Sequence, residues 1–408
     1  MIVPSSSAGR TSDTTGRVVI IGAAVLGIAA RVGVLVWHGN PSDPNLWEFG
    51  TIARNLVEHG TFAFYHPAAA SAYMPPGFPL IIAGLYTVFG IGHAAHWILA
   101  AMLLTAGIAL PFVVRRIAAH VWDHDVAAVA FVFAMLWPHL ILMNAGFTGL
   151  PVSTLLLALA VTVAIDVHAN GLGSVAACGL LLGGYSLFRF EGLLFVLPIG
   201  YLVFRRMSNR NVKARIGVLA VLIALTITPL VPWVARNYAV FGTPLLSTSA
   251  GFNLARGHNA ITVGTGRDPR TGEWAELLGN PPVALDDIDE SADELARDRY
   301  FRAAAIEYAR SHLVRELTLT ARKAFFFLVA DFTHPADRLL IVWTPTFVAF
   351  VLGFWYWIRK GRNDPAQQAL WLVFAVQLGV AMVFFVVPRY RMAVAWVPLL
   401  FFAAWYAR

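Results

Sequence analysis

The first residue able to do chemistry is Glu48. It stands in the run Asp43-Pro-Asn-Leu-Trp-Glu48-Phe-Gly-Thr-Ile-Ala-Arg54, just after the first long apolar stretch. Apolar Leu46, Phe49, Ile52, Ala53 and Leu56 recur at three- and four-residue spacing beside Glu48, Arg54 and Glu58, which predicts a short amphipathic helix. Asp43 followed by Pro44 reads as its N-cap and first turn. A carboxylate on such a helix can act as a general base, taking a proton from a hydroxyl as that oxygen attacks. The alternative is a solvated charge on a polar helix face. Asp43 carries the same choice, with a helix cap as its alternative.

The cations come next. Arg189 and Glu191 stand two residues apart at the end of apolar stretches, where ionisable groups are paired or functional. Arg389 and Arg391 flank Tyr390 between two apolar stretches, and Arg236-Asn237 ends another. The planar fork of arginine suits a phosphate, and headgroup snorkelling is the competing use. Arg31, inside the first apolar stretch, needs a partner, with Glu48 and Glu191 as options. His93 and His96 are three apart with no third ligand nearby, so no metal site is read from the histidines.

The elements that must position these groups are membrane helices. Of 408 residues, 58% are hydrophobic and 13% charged, against roughly 25% charged in soluble domains. The net charge of +7 sits mostly in short loops with no basic face or recognition motif, so nucleic acid is not the expected partner and membrane lipid is. The one cysteine, Cys178, lies in an apolar segment, which excludes a disulfide. The polar start and the lack of an A-x-A-like exit predict an uncleaved signal anchor.

Spans of about 20 apolar residues are expected near Val18–Trp37, His93–Val114, Val126–Asn144, Val152–Asp166, Ser174–Phe188, Leu193–Phe204, Ile216–Ala235, Leu339–Ile358, Ala369–Val387 and Met392–Ala407. Gly77–Ile91 and Leu317–Ala330 are read as interfacial helices. With that set, Arg10/Arg17, Arg115/Arg116, the Arg205–Arg215 cluster, Arg359–Arg362 and Arg408 share one side, the cytoplasm. The expected plan is one all-α membrane domain over residues 1–408. Residues 1–17 form a cytoplasmic tail, 38–92 a first outer loop and 236–338 a long outer loop. The long loop holds turns from Arg256 to Gly272, an acidic run Asp286–Glu294, then a helical pattern.

The order of these pieces resembles the GT-C membrane glycosyltransferases, in particular the bacterial branch related to protein mannosyltransferases and the aminoarabinose transferase. An acidic first loop precedes Ile52-Ala-Arg-Asn-Leu56 and Gly60, then Pro76-Gly-Phe-Pro79 and Phe89-Gly90. Further on, Arg236-Asn-Tyr with Phe241-Gly, Gly257-His-Asn259 and Arg389-Tyr-Arg391 resemble later motifs of that group. The chain departs from it twice. The usual first-loop Asp has no direct counterpart, Glu48 being the nearest acid, and no second acid occurs in Gly146–Pro151.

The resemblance implies a sugar donor on a polyprenyl phosphate, a hydroxyl acceptor on a glycan, lipid or protein, and an active site on the outer face of a bacterial cytoplasmic membrane. It implies Glu48 or Asp43 as base and Arg389, Tyr390, Arg391, Arg189 and Arg236 at the donor phosphate. Glu191, Asn237, His258, Asn259 and Tyr73 would contact substrate. No cofactor is required by these residues, and a divalent cation stays open. Attack opposite the leaving phosphate would invert the anomeric carbon. The competing classes are a multispan transporter or lipid flippase, and a non-catalytic partner in envelope glycan synthesis. No matched pair of broken helices in two halves favours transport.

Overall fold

The computed structural model describes residues 8–167, 171–266 and 294–408. Along the chain lie α1 (Ala8–Val34), α2 (Trp47–His59), α3 (Gly77–Phe89), α4 (His93–Val121), α5 (His124–Leu136) and α6 (Pro138–Leu142). Then come α7 (Leu150–Ile165), α8 (Leu172–Phe188), α9 (Val196–Arg206), α10 (Val212–Ile227), α11 (Val231–Phe241) and α12 (Ala250–Gly257). Last are α13 (Glu294–Ser311), α14 (Leu313–Leu328), α15 (Leu340–Tyr356), α16 (Pro365–Val383), α17 (Pro388–Met392) and α18 (Trp396–Tyr406). Among the described residues there is no strand, only a parallel bridge between Thr265 and Val386.

Five helices are long and apolar enough to cross a bilayer: Gly16–Gly39, His93–Val121, Val212–Phe241, Leu340–Gly361 and Pro365–Val383. α3, α5, α7, α8 and α18 are shorter apolar helices. The main core joins α4, α5, α7, α8, α9, α16 and α18 through residues such as Leu110, Leu157, Leu182, Phe195, Phe374 and Trp396. The turns expected over 267–272 and the acidic run up to 293 lie outside the described residues. The helical pattern expected after that run is two helices, because the chain turns at His312 between α13 and α14. The Leu317–Ala330 helix is the body of α14.

Local chemistry explains the breaks. Pro138 forces Trp137 into an extended conformation (φ −69°, ψ 120°), so α5 stops at Leu136 and its last carbonyls lose their helical donors. Arg31 supplies them. Its guanidinium donates to Ala134 O at 3.0 Å and Met135 O at 2.6 Å, and also to Gly27 O in its own helix. The partner of Arg31 is therefore the negative end of α5, not Glu48 or Glu191. Gly27 makes the approach feasible, since a Cβ there would sit 2.5 Å from Met135 O.

Candidate active site

α2 begins at Trp47, three residues later than the Asp43 cap would place it. Trp47 has φ +52°, a left-handed backbone that a bulky side chain adopts only under constraint, and Asn45 Oδ1 accepts its N–H at 3.0 Å. That start sets where Glu48 points. Ile52 and Ala53 are buried, and Phe49 meets Phe78 of α3 edge-on at 5.2 Å. Glu48, in the first turn, is left half-buried without a hydrogen bond or ion pair among the described residues. Its charge acts on Tyr73 and on Arg256.

Tyr73 lies on a segment held from three sides. Arg236 of α11 donates to Ser71 O at 2.7 Å, Thr248 N donates to Ala72 O at 3.1 Å, and Ser247 Oγ donates to Tyr73 O at 3.1 Å. Glu294, at the start of α13, accepts from Ala72 N at 3.0 Å and from the Thr248 hydroxyl. The Tyr73 ring stacks on Phe64 at 5.0 Å and 19°. Burial first, then the Glu48 charge, pushes its phenol up to about 12, so it is a neutral donor at pH 7.

Arg256 ends α12 and is the hub. Its guanidinium lies over Phe252 at 4.6 Å and over Phe385 at 5.8 Å, and it shares its field with Tyr73, Arg389, Tyr390 and Glu48. Burial, the largest effect, lowers its pKa. The α17 turn adds Tyr390, flanked by Arg389 at 5.8 Å and Arg189 at 5.1 Å from its ring. Arg189 is fixed in turn by Glu191, Nε to Oε1 at 2.5 Å. α8, α12, α17 and the first loop thus bring Glu48, Tyr73, Arg256, Arg389, Tyr390 and Arg189–Glu191 into one group. The Glu48 carboxylate and the Arg256 guanidinium both act electrostatically on Tyr73, and Glu48 acts on Arg256.

Other expected site residues lie elsewhere. Asp43 is exposed and its charge acts on His96. Arg391 is 2% exposed, pairs with Asp337, and donates to Phe326 O, Phe327 O and Val329 O at 3.0–3.3 Å. Arg236 serves Ser71 O and Phe62 O and so braces the first loop, while Asn237 donates to Leu245 O at 2.9 Å in the segment after α11. His258 bridges Glu316 (2.6 Å) and Val383 O (2.7 Å). Asn259 folds back on the end of α12, donating to Ala255 O and accepting from Ile261 N and Thr262 N. Arg256 is the residue the sequence reading passed over. Its signal was a cation in the last turn of a short helix, which reads equally as a helix C-cap partner.

No protein-family profile and no curated protein matches the chain. Solved structures do. Over 95% of its length the chain superposes on ArnT from Cupriavidus metallidurans bound to undecaprenyl phosphate, with TM-score 0.58 and 16% identity. It superposes to the same extent on the oligosaccharyltransferase AglB from Archaeoglobus fulgidus in complex with an inhibitory peptide and a dolichol-phosphate, with TM-score 0.53 and 14% identity. The fold is that of the GT-C membrane glycosyltransferases. The chain spans 60% of that ArnT chain and 50% of that AglB chain.

Proposed function

We propose that this chain transfers a sugar from a polyprenyl-phosphate donor to a hydroxyl acceptor on a glycan, lipid or protein, at the outer face of a bacterial cytoplasmic membrane. One observation carries the reading: Glu48, without a hydrogen bond or ion pair among the described residues, is coupled electrostatically to Tyr73 and to Arg256, which shares its field with Arg389. Glu48 takes the acceptor proton as the hydroxyl oxygen bonds to the anomeric carbon. The carbon–oxygen bond to phosphate breaks, and the electron pair leaves on the polyprenyl phosphate. Arg256 and Arg389 stabilise that anion, and Arg189, fixed by Glu191, completes the positive field. Attack from the side opposite the phosphate inverts the anomeric carbon. The structural neighbours were solved with polyprenyl-type phosphates, which supports the donor class.

Among the described residues no three His, Cys, Asp or Glu side chains come together to hold a metal ion. Among the described residues the group offers Glu48 alone, since Glu191 is taken by Arg189, and this donor set by itself does not make a resident divalent-cation site. A cation carried in on donor phosphate is the form of metal use the site accommodates.

The test is transfer by purified protein in lipid, with a panel of polyprenyl-phosphate sugars and membrane extract as acceptor. Donor consumption in wild type that is lost in Glu48→Gln, with donor binding retained, supports the enzyme and the base together. Consumption in both removes Glu48 from that role. Consumption in neither, with folded protein, overturns the transferase reading in favour of transport.

A further inference from the structure

A second charged site lies away from Glu48, where α13 turns into α14. A cleft of about 570 Å³ opens there, lined by Arg310, His312, Leu313, Val314, Arg315 and Arg322 among others. Arg310 and Arg322 are exposed and carry no hydrogen bond or ion pair among the described residues. The one acid close in sequence on α14, Glu316, is taken by His258 on the other side of the helix. The cleft therefore presents net positive charge with free guanidinium donors.

The surface beside it is apolar and outward. Leu313, Val314 and Leu317 are 68%, 82% and 73% exposed. With Ala321 and the half-exposed Phe325 they continue at four-residue spacing, which places Leu313, Leu317, Ala321 and Phe325 on one face of α14. The opposite face is buried through Leu319, Lys323 and Phe327. Phe327 packs on Phe374 of α16, a helix of membrane-crossing length, while Lys323 donates to Met382 O near that helix's end. From Lys323 back to Leu313 the helix continues about 15 Å, in the direction that runs from Phe374 toward Met382 at the end of α16. Free arginines beside an outward apolar stripe are the pattern of a helix lying in a lipid interface.

We propose that the α13–α14 cleft binds the phosphate headgroup of an anionic phospholipid, with an acyl chain along the Leu313–Leu317–Phe325 stripe. Charge complementarity picks the occupant. Arg310 and Arg322 supply charge-assisted donors to the phosphate, and the stripe covers a chain that a soluble anion lacks. The lipid also steadies the candidate active site. Arg315 donates to Ala260 O at 2.8 Å and Thr262 O at 3.1 Å, and Glu316 holds His258. The seated corner thus fixes the loop that follows Arg256.

The test counts lipids retained by native mass spectrometry on the full chain taken from nanodiscs of phosphatidylglycerol or phosphatidylcholine. Wild type should retain phosphatidylglycerol with about tenfold preference, and the Arg310→Gln/Arg322→Gln variant should lose it. Hydrogen exchange of residues 310–322 should be slowed by phosphatidylglycerol in wild type only. Equal retention of both lipids by wild type, or a preference unchanged in the double variant, overturns the proposal. So does equal protection by inorganic phosphate without lipid, which would make it a free-anion site. The wild-type comparison stands without the variant. Neither readout uses sugar transfer, so failure here is separate from failure of the transferase reading.

Discussion

Arg389 and Arg391 stand on the same helical turn and point their charges to opposite ends of use. Arg389 is exposed and faces Tyr390 and the field of Arg256, whereas Arg391 is buried against Asp337 and three backbone carbonyls. Residue type is identical, so only the surroundings separate an exposed arginine from a structural pin.

The two should therefore fail differently. Arg391→Ala leaves buried Asp337 without its guanidinium partner, with only His139 and Asp331 N–H beside it, at a cost of about 3–5 kcal/mol, and should lower the melting temperature and the yield of folded protein. Arg389→Ala should leave melting unchanged and weaken donor binding by about ten- to a hundredfold, the worth of one charged hydrogen bond. Thermal melts in detergent and donor titrations on both variants check this. Equal melting losses would remove the distinction.

Arg256 was hidden for a related reason. Its neighbours Tyr73, Glu48 and Arg389 are more than a hundred residues away, and no periodicity reports that kind of proximity. Arg256→Ala should lower kcat/KM by about a hundredfold through loss of leaving-group stabilisation, while Arg256→Lys should recover part of it as a point charge. Steady-state kinetics with one donor decide it. An unchanged kcat/KM would leave Glu48 without its counter-charge.

What the sequence made legible were features with a local signature. The helix bearing Glu48 follows from apolar spacing, and the Arg189–Glu191 pair from two letters at the end of an apolar stretch. Asp43 failed as a cap because Trp47 takes a left-handed backbone, which no residue preference foretells. Arg31, Arg236 and Arg391 all find backbone carbonyls. Those acceptors carry no letter in the sequence, so such arginines read as free until the chain is folded.

Asp331 gives a pH prediction. It lies in the connection between α14 and α15, fully buried, and burial pushes its carboxyl up to about 6 against the hydrogen bonds from Thr333. Between its ordinary 3.8 and about 6 the folded chain keeps a proton that the unfolded chain has lost. Stability from this group is thus full below that window and falls as pH rises through it, by about 3 kcal/mol. Asp337 works the other way. Burial opposes its charge, but His139 and Arg391 outweigh burial and hold it below the usual range, so its contribution is lost only at lower pH. Asp331→Asn keeps the Oδ1 acceptor and should raise melting at pH 7 and flatten the slope between pH 4 and 6. Melting curves across pH would show an unchanged slope if Asp331 is not its source.

Glu294 offers the sharpest separation of placing from reacting. It accepts from Ala72 N and from the Thr248 hydroxyl, contacts that tie the first loop to the start of α13, while burial raises its carboxyl pKa. Glu294→Gln keeps an acceptor oxygen and should retain activity within about twofold. Glu294→Ala leaves the Ala72 N–H buried and unpaired, a loss of about 1–3 kcal/mol, and should free the Ser71–Tyr73 segment. Hydrogen exchange at Ala72 should then accelerate, and kcat should fall with little change in donor KM, because Tyr73, which feels the charges of Glu48 and Arg256, loses its fixed position. If Gln fails as badly as Ala while exchange at Ala72 stays slow, Glu294 does more than position this segment.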